Sequence, residues 1–382
     1  MSDTIYRPKL AITTGDINGI GLETIIKVLS DENITEHFTP VIYGSPKTVS
    51  YHKNIVKNVT LRYLTISDGS QIRPGRINVV NCWDEVAPIR LGQITEEGGK
   101  YAYISLDRAI QDLKEGHVDA LVTAPIHKKS MQLAGFEYTG HTDYLKARFN
   151  VPHAIMIMMD EYMKVASLTG HIPLKAVPSS LTKELLLQIL QTLYNTLRID
   201  FDIDKPTMAV LGLNPHAGED GIIGTEENDF IKPAIIELKK KGLLVYGPFP
   251  ADSYFGNFTQ KKYHLTVGMY HDQVLIPFKT LAFHRGVQFT AGLPIVRTSP
   301  DHGPGFDIAG KNVADPTSMR HAMFAAVDAF RNRKAYHENR SNPKPPKEAL
   351  ERALHAQLPP QPELDDEATE SQDPDSPVLT DE

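Results

Sequence analysis

The chain has a single cysteine, Cys82, among 382 residues. That excludes an intramolecular disulfide and any all-cysteine metal centre, and points to a reducing, cytoplasmic setting. No apolar run exceeds about six residues, as in Ala154–Met159, against the roughly 20 a membrane helix needs. Met1–Leu10 lacks the apolar stretch of a secretory signal. Neither G-x-G-x-x-G nor G-x-x-x-x-G-K-[ST] occurs, so the usual dinucleotide fingerprint and the phosphate loop are both missing. The formal charge is −7, but Pro359–Glu382 alone carries nine acids and no Lys or Arg. The rest of the chain is close to neutral, which gives no electrostatic footprint for nucleic acid.

The chain does contain an alternation of short apolar runs with amphipathic stretches. Strands are expected at Lys9–Thr14, Val41–Tyr43, Ile77–Val80, Ala120–Thr123, Ala154–Met159, Lys164–Leu168, Met208–Leu213, His264–Met269 and Gln288–Thr290. Helical spacing occupies Leu22–Leu29, Lys100–Glu115, Thr182–Leu197, Glu226–Lys241 and Pro316–Asn332. Such alternation predicts an α/β fold, a sheet layered with helices. From about residue 341 the composition shifts to proline, acids and small polar residues. Apart from a short helical stretch at Glu348–Leu358, that tail holds too little apolar surface to offset the entropy of ordering, and disorder is expected over 341–382.

Three of the apolar runs deliver a histidine to the turn that follows: His171 after Met163–Leu168, His216 after Met208–Leu213, and His271 after Leu265–Tyr270. Ligands of open α/β sheets bind beyond the carboxyl ends of the strands, where three imidazoles would suit Zn²⁺ or a similar divalent ion. A second group, Thr139-Gly140-His141-Thr142-Asp143, reads as a loop entering a helix. There His141 and Thr142 could hold a phosphate, or Thr142 could simply cap the helix. Downstream, Lys279 could move a proton or neutralise an anion. Arg297, read as ending the run Ile295-Val296, could clamp a carboxylate or phosphate. Asp252 and Asp272 are candidates to orient ligand histidines. These residues point to a metal-assisted enzyme acting on a small anion.

Eight ordered segments carry a resemblance. They are Thr13–Asp16 with Gly19-Ile20-Gly21, Thr123–Lys128, Gly140–Asp143, Gly170–Leu174, Leu213–Glu219, Gly247–Asp252, Tyr270–Gln273 and Gly292–Ser299. Over about residues 8–333 the chain resembles the 4-hydroxythreonine-4-phosphate dehydrogenases, the PdxA family of vitamin B6 biosynthesis. The resemblance implies a two-domain isocitrate/isopropylmalate dehydrogenase-like α/β fold, with the active site in the interdomain cleft at a homodimer interface. One domain is expected to comprise residues 1–138 with 299–340, and the second, carrying the histidines, 139–298. By the same resemblance His171, His216 and His271 are the metal ligands (Zn, Co or Mg), and His141, Thr142, Lys279 and Arg297 contact substrate, with Lys279 catalytic. The implied cofactor is NAD or NADP, and its contact residues stay open. The implied reaction is oxidation of 4-phosphooxy-L-threonine at C3, followed by decarboxylation to 3-amino-2-oxopropyl phosphate. Gln288 stands where the family normally has asparagine. Its extra methylene leaves room for a related substrate such as a threonate or erythronate phosphate. A phosphate acyltransferase or a non-catalytic binding protein are the other classes this fold would allow.

Overall fold

The computed structural model describes residues 6–341. The expectations for residues 342–382, including the short helix at Glu348–Leu358, lie outside the described residues. The strands are β1 (Lys9–Thr13), β2 (Thr39–Gly44), β3 (Leu64–Ile66), β4 (Asn78–Asn81), β5 (Ala120–Thr123), β6 (Ile155–Met159), β7 (Lys164–Ser167), β8 (Thr207–Leu211), β9 (Leu244–Phe249), β10 (Leu265–Gly268), β11 (Val287–Ala291) and β12 (Val296–Pro300). They join in one 12-stranded sheet of order β3-β4-β2-β1-β5-β12-β11-β6-β7-β10-β8-β9.

Two parallel blocks make up this sheet. In the first, β3, β4, β2, β1, β5 and β12 pair in parallel. In the second, β7, β10, β8 and β9 do so. Between them β11 and β6 pair only antiparallel, at β12–β11, β11–β6 and β6–β7, so the two blocks run in opposite senses. Parallel strands covered on both faces read as continuous apolar runs, which is why the sequence marks them. Alternate residues of β1 go to opposite faces, as the strand period demands. Leu10 and Ile12 join a cluster with Ile26, Val122 and Met323, whereas Ala11 joins Val41, Leu106 and Leu121.

Helices depart from expectation where glycine or proline masks them. The segment expected to begin at Lys100 is a helix over Glu96–Lys114, capped by the Thr95 hydroxyl. Gly98 and Gly99 hide its first turn, because each glycine costs roughly 1 kcal/mol in a helix. Both are needed for close approach: Gly98 lies against the Asp16 carboxylate and Gly99 against the backbone of Ser130. Gly99→Ala should therefore lower stability by about 1–3 kcal/mol through overpacking. A thermal melt in which the alanine variant matches or exceeds the parent would contradict that contact. Pro277 lies inside a helix over His271–Ala282, so that His271 opens this helix and is not a turn residue. The last described helix runs past Asn332 to Ser341.

Candidate active site

The three strand-end histidines come from neighbours in the sheet. β7, β10 and β8 are adjacent and parallel, so His171, His271 and His216 leave the same edge of the second block. The His171 and His271 rings lie 5.4 Å apart, centroid to centroid. Burial, and then the charges of Lys128 and His271, push the His171 pKa down. That keeps its imidazole neutral, the form that binds a metal. His271 Nδ1 is 2.7 Å from Asp272 Oδ1, one of the two expected carboxylate partners. Asp252 is exposed in the first turn of the short helix Ala251–Gly256.

His216 sits in an unusual turn. His216, Ala217, Gly218, Glu219 and Asp220 all have positive φ, a conformation that costs non-glycine residues about 1–2 kcal/mol each. Buried Glu227 holds the entry to this turn. Its Oε1 accepts from the backbone N–H of both Leu213 and Asn214 at 2.8 Å, and its Oε2 accepts from Asn214 Nδ2 at 3.0 Å. Strain kept in place by such fixed contacts is typical of functional sites. The sequence reading missed Glu227, because nothing local distinguishes it from a helical surface acid.

Among the described residues, one group of three possible ligands has donor atoms all within 4.8 Å of one another: Asp112, Glu115 and His117. The strand-end histidines do not close to that distance within one chain. The Asp112 group is already occupied by protein. Tyr43 donates to Asp112 Oδ2 at 2.8 Å, and Arg108 Nε lies 3.8 Å from Oδ1. A guanidinium beside the carboxylate opposes a cation there.

Arg297 lies within β12 rather than beyond a strand end, and is 1% exposed. Its Nε and Nη2 donate to Thr123 Oγ1 at 3.1 and 2.6 Å, and its Nη1 donates to Thr290 Oγ1 at 3.0 Å. Among the described residues it forms no ion pair with a carboxylate. Burial alone pulls its pKa down to about 9, so it remains charged at neutral pH. A buried charge without a counter-ion is costly, and the polar threonines answer its hydrogen bonds but not its charge. Neither threonine was singled out as its partner in the sequence, where Thr123 is 174 residues away.

His141 begins the helix His141–Arg148, which Gly140 caps without a side-chain hydrogen bond. Thr142 thus lies in the first turn and is not the cap. His141 Nε2 is buried and unpartnered. Burial, followed by the Arg297 charge, drives its pKa well below the usual value. Gln288 on β11 pairs in register with Ser299, whose hydroxyl donates to Gln288 Oε1 at 3.3 Å. With a strand period of two, Gln288 shares a face with Thr290. Lys279, two turns beyond His271 on the same helix, meets Asp301 at 3.1 Å. This pair ties the second block to the chain leaving β12. His171, through Lys128 and Asp143, likewise feels charges carried by the segments after β5.

Known proteins share this architecture. The family profile described as pyridoxal phosphate biosynthetic protein PdxA matches residues 36–326. A 4-hydroxythreonine-4-phosphate dehydrogenase of Bacteroides thetaiotaomicron is 43% identical over 336 residues, covering 88% of this chain and 92% of the relative. One from Aquifex aeolicus is 40% identical over 315 residues, covering 82% and 96%. The crystal structure of the Klebsiella pneumoniae enzyme of that name superposes with a TM-score of 0.75 at 34% identity, covering 86% of this chain and all of the other. With a buried arginine, strand-end histidines and this extent of likeness, the chain belongs to the PdxA family of pyridoxal phosphate biosynthetic proteins.

Proposed function

We propose that the protein is a metal-assisted, NAD(P)-dependent dehydrogenase that oxidises 4-phosphooxy-L-threonine at C3. The resulting β-keto acid loses CO₂ to give 3-amino-2-oxopropyl phosphate. The observation that carries this reading is the charged Arg297 guanidinium, buried without a carboxylate partner among the described residues, which calls for an anionic substrate group as its counter-ion.

Around that anion, neutral His141 offers a ring nitrogen, and the first turn bearing Thr142, whose cap Gly140 supplies no side-chain hydrogen bond, offers backbone N–H groups. Gln288 faces the same side from β11. His171, His216 and His271, each following one of three neighbouring strands, would hold a divalent ion through imidazole nitrogens. When bound, the ion would supply Lewis acidity to the C3 hydroxyl and the nicotinamide would accept hydride. The C3 hydroxyl proton passes to solvent, and the Lys279 ammonium stabilises the alkoxide left behind, whose charge is discharged into the carbonyl as hydride leaves C3. The ammonium can then donate a proton to the carbon left carrying charge after CO₂ departs, and is reprotonated from solvent.

The reading includes a homodimer whose partner completes the cleft. Exposed apolar side chains lie on the histidine-bearing segments: Leu174, Ile222, Ile276 in the helix opened by His271, and Phe283 at its C-cap. Purified protein with 4-phosphooxy-L-threonine, NAD⁺ or NADP⁺ and a series of divalent metals should form NAD(P)H, and should sediment at twice the 42.5 kDa chain mass. No reduction with any metal would reject the reaction, and a monomer active at all concentrations would reject the dimer.

A second reading rests on Gln288. Its reach favours a related phosphorylated hydroxy acid, a threonate or erythronate phosphate, and a higher kcat/KM on those compounds would establish it.

A further inference from the structure

Asp301 follows β12, and its backbone N–H is within hydrogen-bond reach of Gly286 O at 3.2 Å and Ser318 Oγ at 3.0 Å. Ser318 in turn donates to Gly286 O at 2.7 Å. The residue is thereby tied both to the approach of β11 and to the helix that begins at Thr317. A side chain at Gly286 would press on Asp301, since a Cβ there would sit 3.0 Å from its Oδ2. The Asp301 side chain is 12% exposed, whereas that of its partner Lys279 is 41% exposed. Oδ1 meets the ammonium, and Oδ2 is buried without a hydrogen-bond partner among the described residues. The other charges acting on this carboxylate are those of His302 and His271. Two exposed, mobile partners would contribute little by pairing. Here one partner is fixed and buried, so the geometry of the mobile one follows from it.

We infer that Asp301 is a positioning residue for Lys279, its anchored carboxylate holding the ammonium over the His271 end of the cleft. This rests on Lys279 being the group that meets the C3 oxygen, and it adds the residue that aims it.

In Asp301→Asn the amide keeps the shape and loses the charge. The variant should lower kcat about 10- to 100-fold with KM within about 3-fold, the pattern of an interaction expressed in the transition state. Asp301→Glu should recover part of the loss. In a Lys279→Ala background the asparagine change should cost less than about 2-fold, because both members of the pair act as one. Equal losses in the two backgrounds would overturn the proposal, as would an unchanged kcat in Asp301→Asn. A readout independent of turnover is labelling of native protein with an amine-reactive ester, mapped by mass spectrometry. Lys279 should label faster in Asp301→Asn while Lys311 is unchanged. Unaltered Lys279 labelling would mean that Asp301 does not hold it. Faster labelling in a protein that reduces no NAD(P)⁺ would leave the contact standing and reject the reaction instead.

Discussion

Replacing Arg297 with methionine is expected to lower kcat/KM sharply while leaving the protein folded. Removing one partner of a buried, hydrogen-bonded charge pair costs about 2–5 kcal/mol of binding, which corresponds to a fall in kcat/KM of roughly 30- to 5,000-fold. Most of this should appear in KM, because an anion remote from C3 is held alike in ground and transition states. Stability should respond in the opposite sense. Arg297 has hydrogen bonds to Thr123 and Thr290 but, among the described residues, no carboxylate to strand. An apolar side chain of similar length therefore relieves a buried charge, and replacing buried charges with apolar groups is often neutral or stabilising. A melting temperature equal to or above the parent's, with the KM for substrate raised, is the expected pair of results. Lysine at 297 keeps the charge but not the planar fork that reaches both threonines, and should fall between the two. An unchanged KM in Arg297→Met would remove the counter-ion argument.

The second large effect is expected at the strand-end histidines. His271→Ala should lose bound divalent metal, measured by elemental analysis after dialysis, and should lower turnover by about 10³-fold or more. Restoring metal in excess should not rescue it. The informative control is Glu115→Gln in the Asp112–Glu115–His117 group, the tightest set of possible ligands among the described residues. Because Tyr43 and Arg108 already attend Asp112, that substitution should change neither metal content nor rate. Metal retained by His271→Ala and lost by Glu115→Gln would reverse the assignment. The strand order favours the histidines. They leave three adjacent parallel strands, whereas the Asp112 group lies at the end of one helix on side chains that answer one another.

The α/β class, most of the strands and the histidines that follow three of them are legible in the sequence alone, whereas β3, β9 and the helix opened by His271 are not. Buried parallel strands are unbroken apolar runs, and the chain must turn where they stop. Family resemblance added roles for Lys279, Arg297 and Gln288 that periodicity could not supply. Tertiary structure decided which strands lie side by side. β7 and β10 are neighbours although about 100 residues apart in the chain, and no local pattern encodes such a pairing. It decided as well that Arg297 is buried within β12, with hydroxyl partners on β5 and β11 in place of an acid. Local rules failed where a residue serves a distant contact. Gly98 and Gly99 look like a helix break but admit Asp16 and Ser130, and Pro277 looks like a stop but lies inside the helix from His271. Glu227 reads as an ordinary surface acid, yet it is buried and holds the entry to the left-handed turn that carries His216. Propensity acts over a few residues, whereas burial and hydrogen bonding between remote segments carry larger energies, and at these positions the remote contacts prevail.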